Sequence, residues 1–208
     1  MDIIKANALL KLKQITTDQF TCEDIKSLDD YFFTNDEFLD EFSCAIGGLE
    51  HHSYVGGLLD HTLNVVYLTK ILCEKYNAQN KEIAILSAKL HDIGKIYEYT
   101  FSEQPQVTLR GEMEGHIVIG ITMLEKAFDD MDGCYSDEFK NRIKGCIVQH
   151  HGELVYGSPK MPNSQEAFIL HYADYLDATM TKIADITSKM EKNQWSPFYE
   201  RIGNKLYK

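Results

Sequence analysis

From residue 57 onward, almost every apolar stripe laid at helical spacing carries a histidine or an aspartate. His61 falls with Leu58, Val65 and Leu68, and Ile83, Ala84, Leu86, Ala88 and Leu90 lead into His91-Asp92. His116 opens the stripe of Ile117, Ile121, Leu124 and Phe128. His150-His151 continues the face of Phe139, Ile143, Cys146 and Ile147, and Asp174 shares one with Ala167, Leu170, His171 and Ala178. Apolar residues three and four apart specify amphipathic helices with that face turned inward. An ionised carboxylate buried there is costly unless a cation or hydrogen bonds compensate. A fold that suits this chain must bring these faces together.

The pattern reads as an all-α domain of six to eight helices. Thr21-Cys22-Glu23-Asp24 forms a capping box ahead of Ile25, Leu28 and Phe32. Asn35 caps a helix burying Phe38, Leu39, Phe42 and Ile46, which Gly47-Gly48 ends. The next helix runs from Gly56-Gly57 to about Tyr76, and Asn80 opens a third that Gly94 stops. Around 97–110, Tyr97, Tyr99 and Phe101 alternate, Gln104-Pro105 turns, and Val107 and Leu109 alternate, as in a small hairpin or ordered loop. Helix returns near Gly115, and another runs from Ser136 to His150. After a loop from Gly152 to Pro162, Asn163 or Ser164 caps a long helix to about Lys192. The expected organisation is one domain over 1–208: an N-terminal helical part (1–48), a metal-site core (51–180), and a C-terminal helix and tail (181–208).

Composition narrows the function classes. No apolar run reaches the ~18 residues of a membrane span. The start, Met1-Asp2-Ile3-Ile4-Lys5, lacks the basic and apolar regions of a signal peptide. The five cysteines, Cys22, Cys44, Cys73, Cys134 and Cys146, are scattered and never paired as C-x-x-C, so they read as free thiols. A cytoplasmic protein is expected. The net charge of −11 argues against a broad basic surface for polynucleotides.

The histidines and aspartates make the functional case jointly. Imidazole and carboxylate donors without thiolate suit Mn, Fe, Co, Ni or Zn, with Mg a further option, rather than Ca²⁺. Seven donors, His61, His91, Asp92, His116, His150, His151 and Asp174, exceed what one catalytic ion needs with water positions open. Two ions sharing a carboxylate is the economical arrangement, and it suits phosphoryl chemistry. No G-x-S-x-G, P-loop or dinucleotide fingerprint competes with this reading.

With His61, the doublet in Leu90-His91-Asp92-Ile93-Gly94-Lys95 and Asp174 in place, the sequence resembles the HD-domain metal-dependent phosphohydrolase superfamily. The resemblance implies that these four residues ligate a first metal. It also implies that His116, His150 and His151 match the extra histidines of dinuclear members, with Asp92 bridging the ions. A finer resemblance is to the HD domain of bacterial 3′-to-5′ exoribonucleases. It is carried by residues 51–58 (HHSYVGGL), by His150-His151-Gly152-Glu153-Leu154 with Gly157-Ser158-Pro159, and by residues 166–178. Cyclic-dinucleotide phosphodiesterases of the HD type share the ligand order, but their Gly-Tyr-Pro signature is replaced here by Gly157-Ser158-Pro159.

The expected catalytic residues are Asp92 and Lys95, the lysine as a phosphate contact. His51, His52, Ser158, His171 and Asp177 are expected as substrate contacts or as supports of the ligands. In those exoribonucleases an OB-fold precedes the HD domain, and this chain shows none. The expected substrate is therefore a nucleotide or short oligonucleotide rather than extended nucleic acid, with no membrane partner and homo-oligomerisation open. A mononuclear nucleotidase and a non-catalytic nucleotide-sensing module are the alternatives.

Overall fold

Four helices begin where a side-chain oxygen accepts an amide of the first turn: Asn35 from Phe38, Thr108 from Gly111, Ser136 from Phe139, and Ser164 from Ala167. In the computed structural model, which describes residues 3–102, 104–131, 135–200 and 202–208, the helices are α1 (Ile3–Gln19), α2 (Glu23–Phe33), α3 (Asp36–Cys44), α4 (Gly57–Lys75), α5 (Lys81–Leu90), α6 (Lys95–Glu98), α7 (Leu109–Asp130), α8 (Asp137–Gln149) and α9 (Gln165–Ser188). Eight of these have nine residues or more and α6 is a single turn. The described residues hold no strand, only isolated bridges. Met1, Asp2 and Cys134, on which parts of the sequence reading rest, lie outside the described residues.

Helix α4 is the centre of the bundle, packed along α5 and α9, with α8 closing against α5, α7 and α9. Leu58, Val65 and Val66 of α4 are fully buried beside Leu86, Leu90 and Leu170. The N-terminal helices join the same core through Leu12, Ile25, Leu28 and Phe42. Phe38 and Phe42 stack at 5.6 Å, with Phe33 edge-on to both. Burying each such side chain contributes about 1.5–3 kcal/mol, enough to hold α1–α3 as part of the core rather than as a loose lid. Beneath Phe33 the ammonium of Lys89 is buried, 3.8 Å from the ring centroid and paired with Asp29.

Several local expectations are corrected. Thr21 does not form a capping box: Cys22 is the N-cap of α2, and the Thr21 hydroxyl donates to Glu82 at 2.6 Å. Glu82 also accepts the amides of Thr21 and Cys22, so a carboxylate 60 residues away caps the helix. Gly94 does not stop the third helix: α5 ends at Leu90, and Gly94, with φ −63°, is the N-cap of α6. The hairpin around 97–110 reduces to one bridge, Tyr99 with Val107, because the Thr108 cap starts α7 at Leu109, six residues earlier than expected. Helix α9 starts at the Ser164 cap, one of the two expected residues, and ends at Ser188 rather than near Lys192. The tail folds back through bridges between Trp195 and Tyr207 and between Tyr199 and Asn204. Cys73 and Cys146 are buried free thiols, Cys44 is half-buried and Cys22 is exposed.

Candidate metal centre

The donors come from the ends and inner faces of five helices. His91 and His150 each sit just past the end of a helix, α5 and α8, and each places its Nδ1 on a carbonyl three residues back, Ala88 at 2.9 Å and Ile147 at 2.7 Å. His151 places Nδ1 2.8 Å from the Tyr156 carbonyl, in the one-turn 3₁₀ segment Leu154–Tyr156. Carbonyl oxygens only accept, so Nδ1 carries the proton in these three rings and Nε2 keeps its lone pair. His61 and His116 set Nδ1 on carboxylates instead, Asp177 at 2.7 Å and Glu98 at 3.0 Å. All five Nε2 atoms converge.

They converge on Asp92, which α5 delivers one residue past His91. One carboxylate oxygen, Oδ2, lies 3.3 Å from His61 Nε2 and 3.1 Å from His91 Nε2. Asp174 Oδ1 joins this side at 3.1 Å from His61 and 3.8 Å from His91. The other oxygen, Oδ1, faces His116 Nε2 at 3.5 Å and His150 Nε2 at 3.6 Å. His151 Nε2 lies 3.3 Å from His116 Nε2, completing the second group.

The close approach of α7 depends on Gly94 and Gly115. A Cβ on Gly94 would stand 2.0 Å from the His116 carbonyl oxygen, so only glycine lets α7 lie against this turn. Gly115 has φ 69° and ψ 158° inside α7, a conformation open to glycine, and the kink turns His116 toward Asp92.

Charge and hydrogen bonding both fit a cation here. Asp92 Oδ1 and His150 Nε2 are buried without a hydrogen-bond partner, which is costly for either atom. Burial opposes charge on His61, yet bonds to Asp174, Asp177 and Asp92 raise its imidazole to about 10. The carboxylates thus call for positive charge at this point. Burial, then repulsion from His151 and His91, pushes His150 well below its ordinary range and keeps it neutral for ligation. Burial and His116 bring His151 down to about 4. Burial would raise Asp92 and Asp174, but the surrounding imidazoles, with Lys95 for Asp92, hold both well below the usual carboxylate range.

The remaining expected residues take distinct places. Lys95 is buried, and its ammonium donates to the Gly47 carbonyl and to Asp92 Oδ2, the latter at 2.6 Å, so it sits on the central carboxylate rather than reaching outward. His51 lies against His61 with ring centroids 5.3 Å apart, and burial and Lys95 lower it to about 3. Asp177 accepts from His61, from His52 at 2.9 Å and from Asn64 at 2.9 Å, so His52 stands behind His61 rather than in the cluster. His171 donates Nδ1 to the His150 carbonyl at 2.9 Å. The buried hydroxyl of Ser158 lies 3.0 Å from the Val148 carbonyl and 2.8 Å from that of Lys160, fastening the loop. Sequence reasoning missed Glu98 and Asn64. The clue to Glu98 was a carboxylate inside the apolar run Ile96-Tyr97-Glu98-Tyr99.

A helical bundle that gathers five imidazoles around a buried aspartate defines a class: all-α proteins with a histidine–aspartate centre able to hold divalent metal. Residues 58–179, well over half of the chain, match the family model of the HD domain. The chain belongs to the HD domain family, whose members bind divalent metals. It is similar to proteins named 3′-5′ exoribonuclease YhaM. Identity is 32% over 171 residues with that of Bacillus velezensis (82% of this chain, 53% of the relative). It is 34% over 152 residues with that of a Geobacillus species (73% and 45%), and 35% over 157 residues with that of Bacillus pumilus (76% and 49%). The chain spans about half the length of the curated relatives it matches. No solved structure matches it. Among the described residues, no helix is long and apolar enough to cross a membrane.

Proposed function

We propose that this chain is a metal-dependent phosphohydrolase that cleaves a phosphoester bond in a nucleotide or short oligonucleotide. The observation that carries the reading is that the two oxygens of Asp92 face different imidazoles, Oδ2 those of His61 and His91 and Oδ1 those of His116 and His150. His61, His91 and Asp174 with Asp92 Oδ2 would hold one divalent ion, and His116, His150 and His151 with Asp92 Oδ1 a second. Such ions, Mn, Fe, Co or Ni from the donor chemistry, supply Lewis acidity toward phosphoryl oxygens and lower the pKa of water. The chain's own residues do the rest. The Nδ1 contacts fix each ring with Nε2 inward, and Lys95 neutralises part of the Asp92 charge at the centre. The exoribonuclease names of the relatives support an RNA-type substrate, and the net charge of −11 favours a short one. The free thiols fit the cytoplasm.

The test is elemental analysis of the purified protein with a Mn²⁺-supplemented assay on a generic phosphodiester, a phosphomonoester, cyclic dinucleotides, and short RNA and DNA. Two ions with diesterase activity support this reading. One ion with monoesterase activity replaces it with a mononuclear nucleotidase, and metal without turnover replaces it with a sensing module.

A further inference from the structure

Two of the five converging histidines are backed by carboxylates, one on each side of Asp92. His61 sets Nδ1 on Asp177, and His116 sets Nδ1 on Glu98. The other three rings lean on neutral carbonyls. Glu98 does more than hold the ring. Because Gly115 breaks α7, the His116 amide is released from the helix ladder, and it donates to Glu98 Oε1 at 3.1 Å. One carboxylate therefore grips the backbone and the side chain of the same residue. Glu98 is buried, and its own backbone is pinned by the Thr108 amide, which donates to the Glu98 carbonyl at 2.8 Å.

We propose that Glu98 is a positioning residue for one ion only: it fixes His116 and strengthens it as a donor to the ion shared with His150 and His151, as Asp177 does through His61 for the other. A carboxylate behind a ligating imidazole fixes the tautomer and raises its basicity, and losing such a partner typically lowers metal affinity about 10–100-fold. This role for Glu98 rests on the two-ion reading of the centre. With it, the affinities of the two ions are set by different carboxylates, and so are separately adjustable.

Calorimetric titration of metal-free protein with Mn²⁺ tests it, using wild type, Glu98→Gln, Asp177→Asn, His151→Ala and the double variant Glu98→Gln/His151→Ala. Wild type should show two ions. Glu98→Gln should weaken one of them about 10-fold or more, and Asp177→Asn the other. In the His151→Ala background, Glu98→Gln should leave the remaining ion unchanged. Thermal unfolding of each metal-free variant gives the structural control, and Glu98→Asp takes the place of Glu98→Gln if the glutamine variant does not fold. Wild-type protein that takes up a single ion overturns the two-ion reading and the role of Glu98 with it. Two ions in wild type with affinities untouched by Glu98→Gln, or weakened equally, overturn the role of Glu98 alone and leave it a structural residue.

Discussion

Gly94 and His116 meet backbone to backbone, with no room between them for even a methyl group. This contact, 22 positions apart in the chain, sets the depth at which α7 enters the site.

Gly94→Ala should therefore act on stability and on the site together. The added Cβ faces a carbonyl oxygen at 2.0 Å, and backbone cannot swing aside as a side-chain end can. A loss of about 2–3 kcal/mol is expected from such overpacking. Urea unfolding of the metal-free protein measures it. Wild-type stability would show that α7 can shift freely.

Asp92→Asn removes the charge that both histidine groups share and leaves the buried Lys95 ammonium without its carboxylate. Metal content should fall, at both positions under the proposed two-ion reading, and turnover should drop by about 10²-fold or more, the scale of losing one electrostatic contact in a site. Metal content measured on variant and wild type decides the point. Unchanged stoichiometry would remove Asp92 from the bridge.

The Glu82 carboxylate predicts a pH dependence outside the site. Burial would raise it, but the Thr21 hydroxyl and the amides of Cys22 and Thr21 outweigh that and hold it below its ordinary value of 4.5. A carboxylate with a depressed folded pKa contributes stability that is fully present above the unfolded value and is lost as pH falls through the folded one. Glu82→Gln should thus cost about 0.5 kcal/mol at pH 7, the low end of the scale of a lost helix cap, because solvent screens this exposed contact. The difference from wild type should shrink below about pH 4, reading the onset from ordinary carboxylate values. Unfolding curves at both pH values test the sign.

Lys89 and Asp29 form a pair whose members depend on each other. Burial lowers the Lys89 amine and raises the Asp29 carboxyl, each countered by its partner. Lys89→Met alone should destabilise by about 3–5 kcal/mol, because a buried charge is left unpaired. Lys89→Met/Asp29→Asn should recover much of that. Additive losses in a double-mutant cycle would mean that the two groups act independently.

The helix faces were readable because periodicity reports which side of a helix is buried. His61, His91 and Asp174 stand on such faces, and the structure brings them together. What periodicity lacks is the partner. Gly94 looks like a helix stop until the His116 carbonyl is seen beside it, and Thr21 looks like a cap until Glu82 arrives from another helix. Leu109 fits an alternating pattern until the Thr108 hydroxyl starts a helix there. Glu98 was hidden for a different reason. Its task depends on the positive φ of Gly115, and no residue near Glu98 announces that. Lys95 is read from the sequence as a phosphate contact, and its ammonium lies on Asp92, a pairing set by the one-turn spacing within the segment itself.

The single turn α6 carries Lys95 at its start and Glu98 at its end, one gripping Asp92 and the other His116. Each residue added to a helix rotates the next ones by about 100°, so one inserted residue between them would turn Glu98 away from α7 while Lys95 stayed in place. Chain length is thus quantised in α6, and the spacing of three between this lysine and this glutamate acts as a gauge that keeps the two halves of the centre in step.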